Sequence, residues 1–364
     1  MRGLGWRIIW AIAGKDIVDA LRNKTIQGVM LGVLMMMLTM RVLPLMTRLS
    51  EDKTLIVYDP GKSRTILQLR KQEHVRLSRV GSLAEMEATL GTAPEAYLGL
   101  VLPADFDQAV AEGRGLDLEA YAVHWASQAE VEELRTFFER VLGEVASVAA
   151  QTEVPVTVRV ASERVYPSPD EQGFGTMATS VVLLTTLTVG IFLVPYSIGD
   201  ERQTKTMDAL LVSPASIGQI VTGKAIAGSV YCLVTAAVAI AFSAKLYVHW
   251  WAVVATVVCG TLFAVGVGLL LGSLFEQPQQ MNAVAGILLA VLLVPSVLVG
   301  QPALSPVVER LLANVPSAAL NAALATSLAR SVPLGVLGAK LGSVLALSAV
   351  IYAVTFWKIR RSDR

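Results

Sequence analysis

Two stretches of this sequence have the glycine–lysine spacing that can cradle a phosphate group. They are Gly218-Gln-Ile-Val-Thr-Gly223-Lys224 and Asp59-Pro60-Gly61-Lys62-Ser63. In a P-loop the glycines let backbone N–H groups surround the phosphates, the lysine reaches them, and a following Ser or Thr binds Mg²⁺. The first stretch has Ala225 at the Mg²⁺ position, has no strand before it and runs into a long apolar segment. Lys224 is therefore expected to snorkel at a membrane edge. In the second stretch the motif's first glycine would fall on Ile56, inside a strand. A helix start whose amides are satisfied by Asp59 or Ser63 is the expected structure there. Neither is expected to bind nucleotide.

No serine, cysteine or carboxylate set has triad or metal-ligand spacing. Cys232 and Cys259 both fall in apolar runs, and His74, His124 and His249 are scattered. These absences lead us to expect no catalytic residue, no metal and no cofactor on this chain. A net charge of +1 gives no reason to expect a nucleic-acid partner.

A third group of residues is set up for contact and not for bond chemistry. Gly199 to Lys224 is a charged patch between the apolar runs 174–198 and 225–246. Within it, residues 204–212 read as a short helix with Met207, Leu210 and Leu211 on one side, and Pro214 stops it. A short exposed helix with an apolar face and charged flanks is a docking element.

The positioning elements follow from hydropathy. Hydrophobic residues make up 54% of the 364, and the mean hydropathy is +0.58. The apolar excess is missing from about residue 48 to 172, so the chain reads as a polytopic α-helical membrane protein with an inserted α/β domain. Residues 1–25 are expected to form an amphipathic interfacial helix, with Trp6, Ile9, Trp10, Ala13, Ile17 and Leu21 on one arc. Transmembrane helix 1 is placed within 26–47, and five more runs within 173–364 are each long enough to cross a ~30 Å hydrocarbon core. They are 174–198, 225–246, 252–275, 281–299 and 339–357. Arg41 interrupts the first span, either snorkelling or lining a substrate path. Residues 301–334 hold two short Pro-bounded apolar segments, expected to be half-helices covered by protein or facing a watery cavity.

The insert, 48–172, has strand-like runs 54–58, 75–80, 97–102, 118–125 and 154–161 alternating with helical stretches, the pattern of a βαβ-built sheet. Ser82 with Glu85 and Ser127 with Glu130 have capping-box spacing. Six spans place both termini on one side. That side has five Lys and Arg before the first span, three in the 199–224 patch and four in the tail. Lys245, Arg310 and Arg330 stand in the short opposite loops. The bias puts the termini and the patch in the cytoplasm and the insert outside it.

Taken together, these residues resemble the type-2 ABC exporter permeases, in the NatB-like branch with a large ectodomain between the first two transmembrane helices. The most specific match is Asp200-Glu201-Arg202, Thr206-Met207-Asp208-Ala209-Leu210-Leu211, Ser213-Pro214 and Gly223-Lys224, with Lys205 where the family usually has glycine. Leu98-Gly-Leu-Val-Leu-Pro103 followed by Asp105-Phe106 is similar to the family's strand-Pro-x-x-Phe step. The resemblance implies that Thr206 to Pro214 is a coupling helix seated in a cleft of a separate ABC ATPase subunit, present in two copies, which binds the ATP and Mg. It implies a second permease chain, identical or related, a prokaryotic inner-membrane location, and room for an extracytoplasmic accessory protein. Membrane lipids surround such a chain. Glu201 and Arg202 are then expected to be a hinge pair at the membrane edge, or simply the end of a helix. Two other classes compete. One is a membrane-anchored receptor or assembly scaffold that binds ligand or protein through the ectodomain. The other is an ion-coupled carrier, disfavoured because the spans hold almost no ionisable residues.

Overall fold

The computed structural model describes residues 2–22, 24, 27–28, 30–35, 37–39, 52–72, 74–95, 97–169, 173–203, 216–275, 277–299 and 305–362. The chain divides into two compact units. One comprises Met1–Met40, Met177–Ser327 and Ser331–Arg364, and the other Arg41–Thr176 with Leu328–Arg330.

The second unit is built on a five-stranded sheet ordered β2-β1-β3-β4-β5. Its strands are β1 (Lys53–Tyr58), β2 (Val75–Val80), β3 (Leu98–Val101), β4 (Leu116–Ala122) and β5 (Val156–Val160). β4 alternates buried and exposed residues, because successive side chains point to opposite faces of the sheet, whereas β1 and β3 each carry three consecutive buried residues. The pairing departs from the all-parallel βαβ pattern at one place: β3 and β4 run antiparallel, while the other pairs are parallel. The connection 102–115 holds only the six-residue helix α3 (Phe106–Ala111) and ends at Gly113, with φ +66°.

Two more helices complete the unit, α2 (Leu83–Thr92) and α4 (Gln128–Ala150). Ser82 accepts from the Glu85 amide, and Ser127 with Glu130 forms a full capping box. The larger core lies under α4, where Val131, Phe138, Leu142 and Val145 pack with Leu55, Val57, Leu98, Leu100 and Leu118. Phe138, Leu55, Leu98 and Leu100 are fully buried.

The Asp59–Ser63 stretch has no open phosphate cradle. Asp59 accepts from the Ser63 amide at 2.8 Å and pairs with Arg79, and the Ser63 hydroxyl accepts from the Ile66 amide at 3.2 Å. A Cβ on Gly61 would sit 2.5 Å from the Ala104 carbonyl oxygen, so this turn packs directly on backbone. Asp107 anchors the same turn. It accepts from the Ser63 hydroxyl and from the amides of Arg64 at 2.8 Å and Thr65 at 3.3 Å.

Partial burial pushes the Asp107 carboxyl up, but the hydrogen bonds from Ser63, Arg64 and Thr65 together outweigh it and hold the pKa below its ordinary value. A depressed folded-state pKa means that the stabilisation is complete above the unfolded value, near ~3.9, and is lost as pH falls through the folded one. Asp107→Asn should therefore speed amide exchange across residues 63–69 by about tenfold at neutral pH, on the order of 1–2 kcal/mol. The difference from the unsubstituted chain should close as the pH drops below ~4. Hydrogen exchange on the full chain in detergent reads both effects.

The first unit is helical. Among the described residues, five helices are long and apolar enough to cross a membrane: Phe174–Gly199, Gly218–Leu246, Trp250–Leu274, Gln279–Leu298 and Leu334–Arg361. A further pair, Pro306–Ala313 and Pro316–Leu328, is bent by 90° and would make a sixth only if counted as one broken span. The expected first span is described only in pieces, the helical part being Met30–Thr39. We label the elements α1 (Arg2–Arg22), α5 (Phe174–Thr188), a π-helical turn Val189–Leu193, α6 (Val194–Gln203), α7 (Ile217–Ser243) and α8 (Trp250–Leu274). Then follow α9 (Pro278–Leu298), α10 (Pro306–Ala313), α11 (Pro316–Ala325) and α12 (Leu334–Ser362).

α8 is the hub, with α12, α7, α11, α6 and the π-helical turn all packed on it. The bent pair is divided by its surroundings: α11 buries Ala318, Ala319, Leu320, Ala323 and Leu324, whereas α10 has no buried residue. Asn321 fixes α11 in place. Its amide donates to the Ser180 hydroxyl at 3.0 Å and the Ser296 carbonyl at 3.2 Å, and its oxygen accepts from Thr179 at 3.0 Å. A buried amide with each of these bonds made stabilises one packing and penalises others.

Candidate functional site

The charged patch is shorter in the structure than in the sequence. α6 continues through Gln203, and α7 begins at Ile217, so only 204–216 separates the two helices. Ser216 caps α7 in a full capping box with Gln219, a Ser-x-x-Gln signal that the hydropathy boundary at residue 225 had hidden. Glu201 and Arg202 lie in the last turn of α6. Thr206, Met207, Asp208, Leu210, Leu211 and Pro214 are outside the described residues, as is Arg41. The two described flanks of the expected docking element are thus each the end of a helix.

Lys224 does not snorkel. It is 4% exposed and forms an ion pair at 3.2 Å with Asp16 of α1, itself 5% exposed. Tyr231, two turns further along α7, donates its hydroxyl to the Asp16 carbonyl. Gly223 makes the approach possible, because a Cβ there would lie 2.8 Å from Ile12 Cγ2 and 3.2 Å from the Ile9 carbonyl oxygen. The Gly223-Lys224 pair that imitates a P-loop is helical and serves helix packing.

α1 packs with a face that overlaps its apolar arc only in part. Ile12, Ala13 and Asp16 are buried, while Trp6 and Trp10 are 60% and 59% exposed. An indole sits readily in a lipid headgroup region, whereas the burial of Asp16 depends on a partner remote in sequence.

From α6 the path inward runs through unusually close backbone contact. A Cβ on Gly268 of α8 would fall on the Gly190 carbonyl oxygen in the π-helical turn, and one on Gly190 would lie 2.7 Å from the Ala264 carbonyl carbon. A Cβ on Gly272 would lie 2.7 Å from Ile198 Cδ1, and one on Gly228 of α7 would lie 2.6 Å from Val194 Cγ2. Glycine at these positions lets α5–α6 and α8 touch backbone to backbone, the arrangement small residues give helices in lipid. Val189, Gly190, Ile191 and Leu193 of the π-helical turn are buried in that contact. Such turns recur at functional positions in helices.

A cavity of ≈ 380 Å³ opens beside the start of α7, lined by Ile9, Ser216, Gln219, Thr222, Tyr352 and Phe356 among others. Its walls are mostly apolar and present no nucleophile–base pair. Among the described residues, no group of three or more His, Cys, Asp or Glu could hold a metal ion.

No curated protein matches the chain. The family model described as ABC-2 family transporter protein matches residues 26–357. That span takes in the described part of the first apolar helix, the sheet unit and every later long helix. With its apolar helices, this makes the chain a multi-pass membrane protein that belongs to the ABC-2 family of transporter proteins.

Proposed function

We propose that the chain is the membrane-spanning permease subunit of an ATP-driven exporter of the NatB-like branch, coupled to a separate ABC ATPase subunit through segment 204–215. One observation carries the reading. In a chain matched by the family model over residues 26–357, α6 and α7 bracket a short segment holding Thr206, Met207, Asp208, Leu210, Leu211 and Pro214. The ATPase subunit, present in two copies, supplies the ATP and Mg site that this chain lacks by sequence. Two permease chains, identical or related, complete the pore, each with six spans, cytoplasmic termini and the sheet unit outside the cytoplasm. The membrane is the prokaryotic inner membrane.

The mechanism follows from rigidity. ATP-driven closure of the ATPase pair pushes the two 204–215 segments. α6 and α7, packed on α8 through glycine contacts, pass the movement to a path at the permease dimer interface. Glu201 and Arg202 act as the hinge pair at the end of α6, and Arg41 lines or borders the path.

Mild detergent extraction from native membranes followed by mass spectrometry tests the partner. A stoichiometric subunit with a true P-loop is the expected result. Repeated recovery of the chain without such a subunit, and without nucleotide response, would favour a receptor or scaffold that works through the sheet unit.

A further inference from the structure

Three contacts join α1 to the first four turns of α7: the buried Asp16–Lys224 ion pair, the Tyr231 hydroxyl on the Asp16 carbonyl, and the Gly223 approach to Ile9 and Ile12. The ion pair is the unexpected member. Taking two charges out of water costs about as much as their attraction returns, and an apolar pair of similar volume generally does as well for stability. What the pair adds is register. A slip of α1 along α7 by one helical turn, about 5.4 Å, would leave both charges buried and unpaired. The joint sits directly after segment 204–215, at the end of α7 that any push on that segment reaches first. On its outward side α1 displays Trp6 and Trp10, side chains that favour the headgroup region of a bilayer.

We propose that the Asp16–Lys224 pair is a positioning latch that makes α1 move as one body with the start of α7, so that each ATPase-driven displacement of segment 204–215 also shifts α1 in the membrane surface. The proposal rests on the ATPase-coupling reading above. Asp16 and Lys224 position helices and touch no substrate.

The test uses the co-isolated complex in lipid nanodiscs with spin labels at exposed positions: Val18 on α1, Val234 on α7 and, as reference, Val350 on α12. Pulsed dipolar distances are read with and without ATP plus vanadate. In the otherwise unsubstituted complex, the Val18 and Val234 sites should both shift relative to Val350. In Asp16→Leu/Lys224→Met, an apolar pair chosen to stay folded, the Val234 shift should persist while the Val18 shift is lost and the Val18 distances broaden. The exchanged pair Asp16→Lys/Lys224→Asp should restore the Val18 shift. Simple structural support would not give that split, since both shifts would survive or fail together. An unchanged Val18 shift in the apolar pair would overturn the latch while leaving ATPase coupling intact. Absence of any nucleotide-driven Val234 shift in the otherwise unsubstituted complex would overturn the coupling reading, and the latch with it.

Discussion

Replacing Leu210 and Leu211 together by aspartate should separate the chain from its ATPase subunit. A docking helix of this size has few apolar anchors, and a handful of buried residues dominates the binding energy of most protein interfaces, at ~2 kcal/mol or more each. Aspartate at both positions removes that burial and places two carboxylates in the cleft. The expected loss is at least ~100-fold in affinity, from about 3–4 kcal/mol, so the ATPase should no longer co-purify while the permease still extracts as a folded protein. Glu201→Ala gives the contrasting result. If Glu201 and Arg202 are the hinge at the end of α6, the ATPase stays bound and hydrolyses ATP, but hydrolysis no longer shifts a label at Val234. Wild-type behaviour of Glu201→Ala in that assay would reduce the pair to the end of a helix.

The second large effect belongs to the membrane unit. Gly268→Ala should prevent α8 from seating against the π-helical turn, because the new methyl falls on the Gly190 carbonyl oxygen, a backbone atom that cannot rotate away. Overpacking a core ordinarily costs ~1–3 kcal/mol, and a backbone collision at the hub helix should reach or exceed the top of that range. The measurable outcome is loss of monodisperse protein after extraction, with a large fall in thermal midpoint for what remains. Gly14→Ala is the matched control. Nothing lies within 4 Å of a Cβ there, so the substitution should be neutral or stabilising by ~0.5–1 kcal/mol through helix propensity. If both variants behaved alike, the backbone contact between α8 and Gly190 would not matter as argued.

The local physics of this protein was legible in its sequence, and the long-range physics was not. Strands β1 to β5 announced themselves as short apolar runs between turn residues, and β4 also by the alternating burial along Leu116–Ala122. Ser127 and Glu130 likewise needed only their spacing. The antiparallel pairing of β3 with β4 could not be read, because strand direction depends on the path of the connection 102–115 and not on any residue of the strands. Ser216 was missed for the opposite reason: its signal is local, but a hydropathy boundary at residue 225 overrode it. Lys224 shows the limit most plainly. Its partner Asp16 lies 208 positions away in the chain, and no periodicity links them, so a lone lysine at the start of an apolar run was assigned to water. The family resemblance rested on residues 200–214, and most of these fall outside the described residues, whereas the family itself is shown by the match over 26–357.

The central claim is that segment 204–215 touches an ATPase. A photo-crosslinking amino acid placed at Met207, with the complex irradiated in native membranes and the adduct identified by mass spectrometry, tests this most directly. The account predicts one dominant adduct, to a subunit with a P-loop, that disappears when Leu210 and Leu211 are aspartate. An efficient crosslink from Met207 to lipid or to an extracytoplasmic protein, with no ATPase adduct, would contradict it.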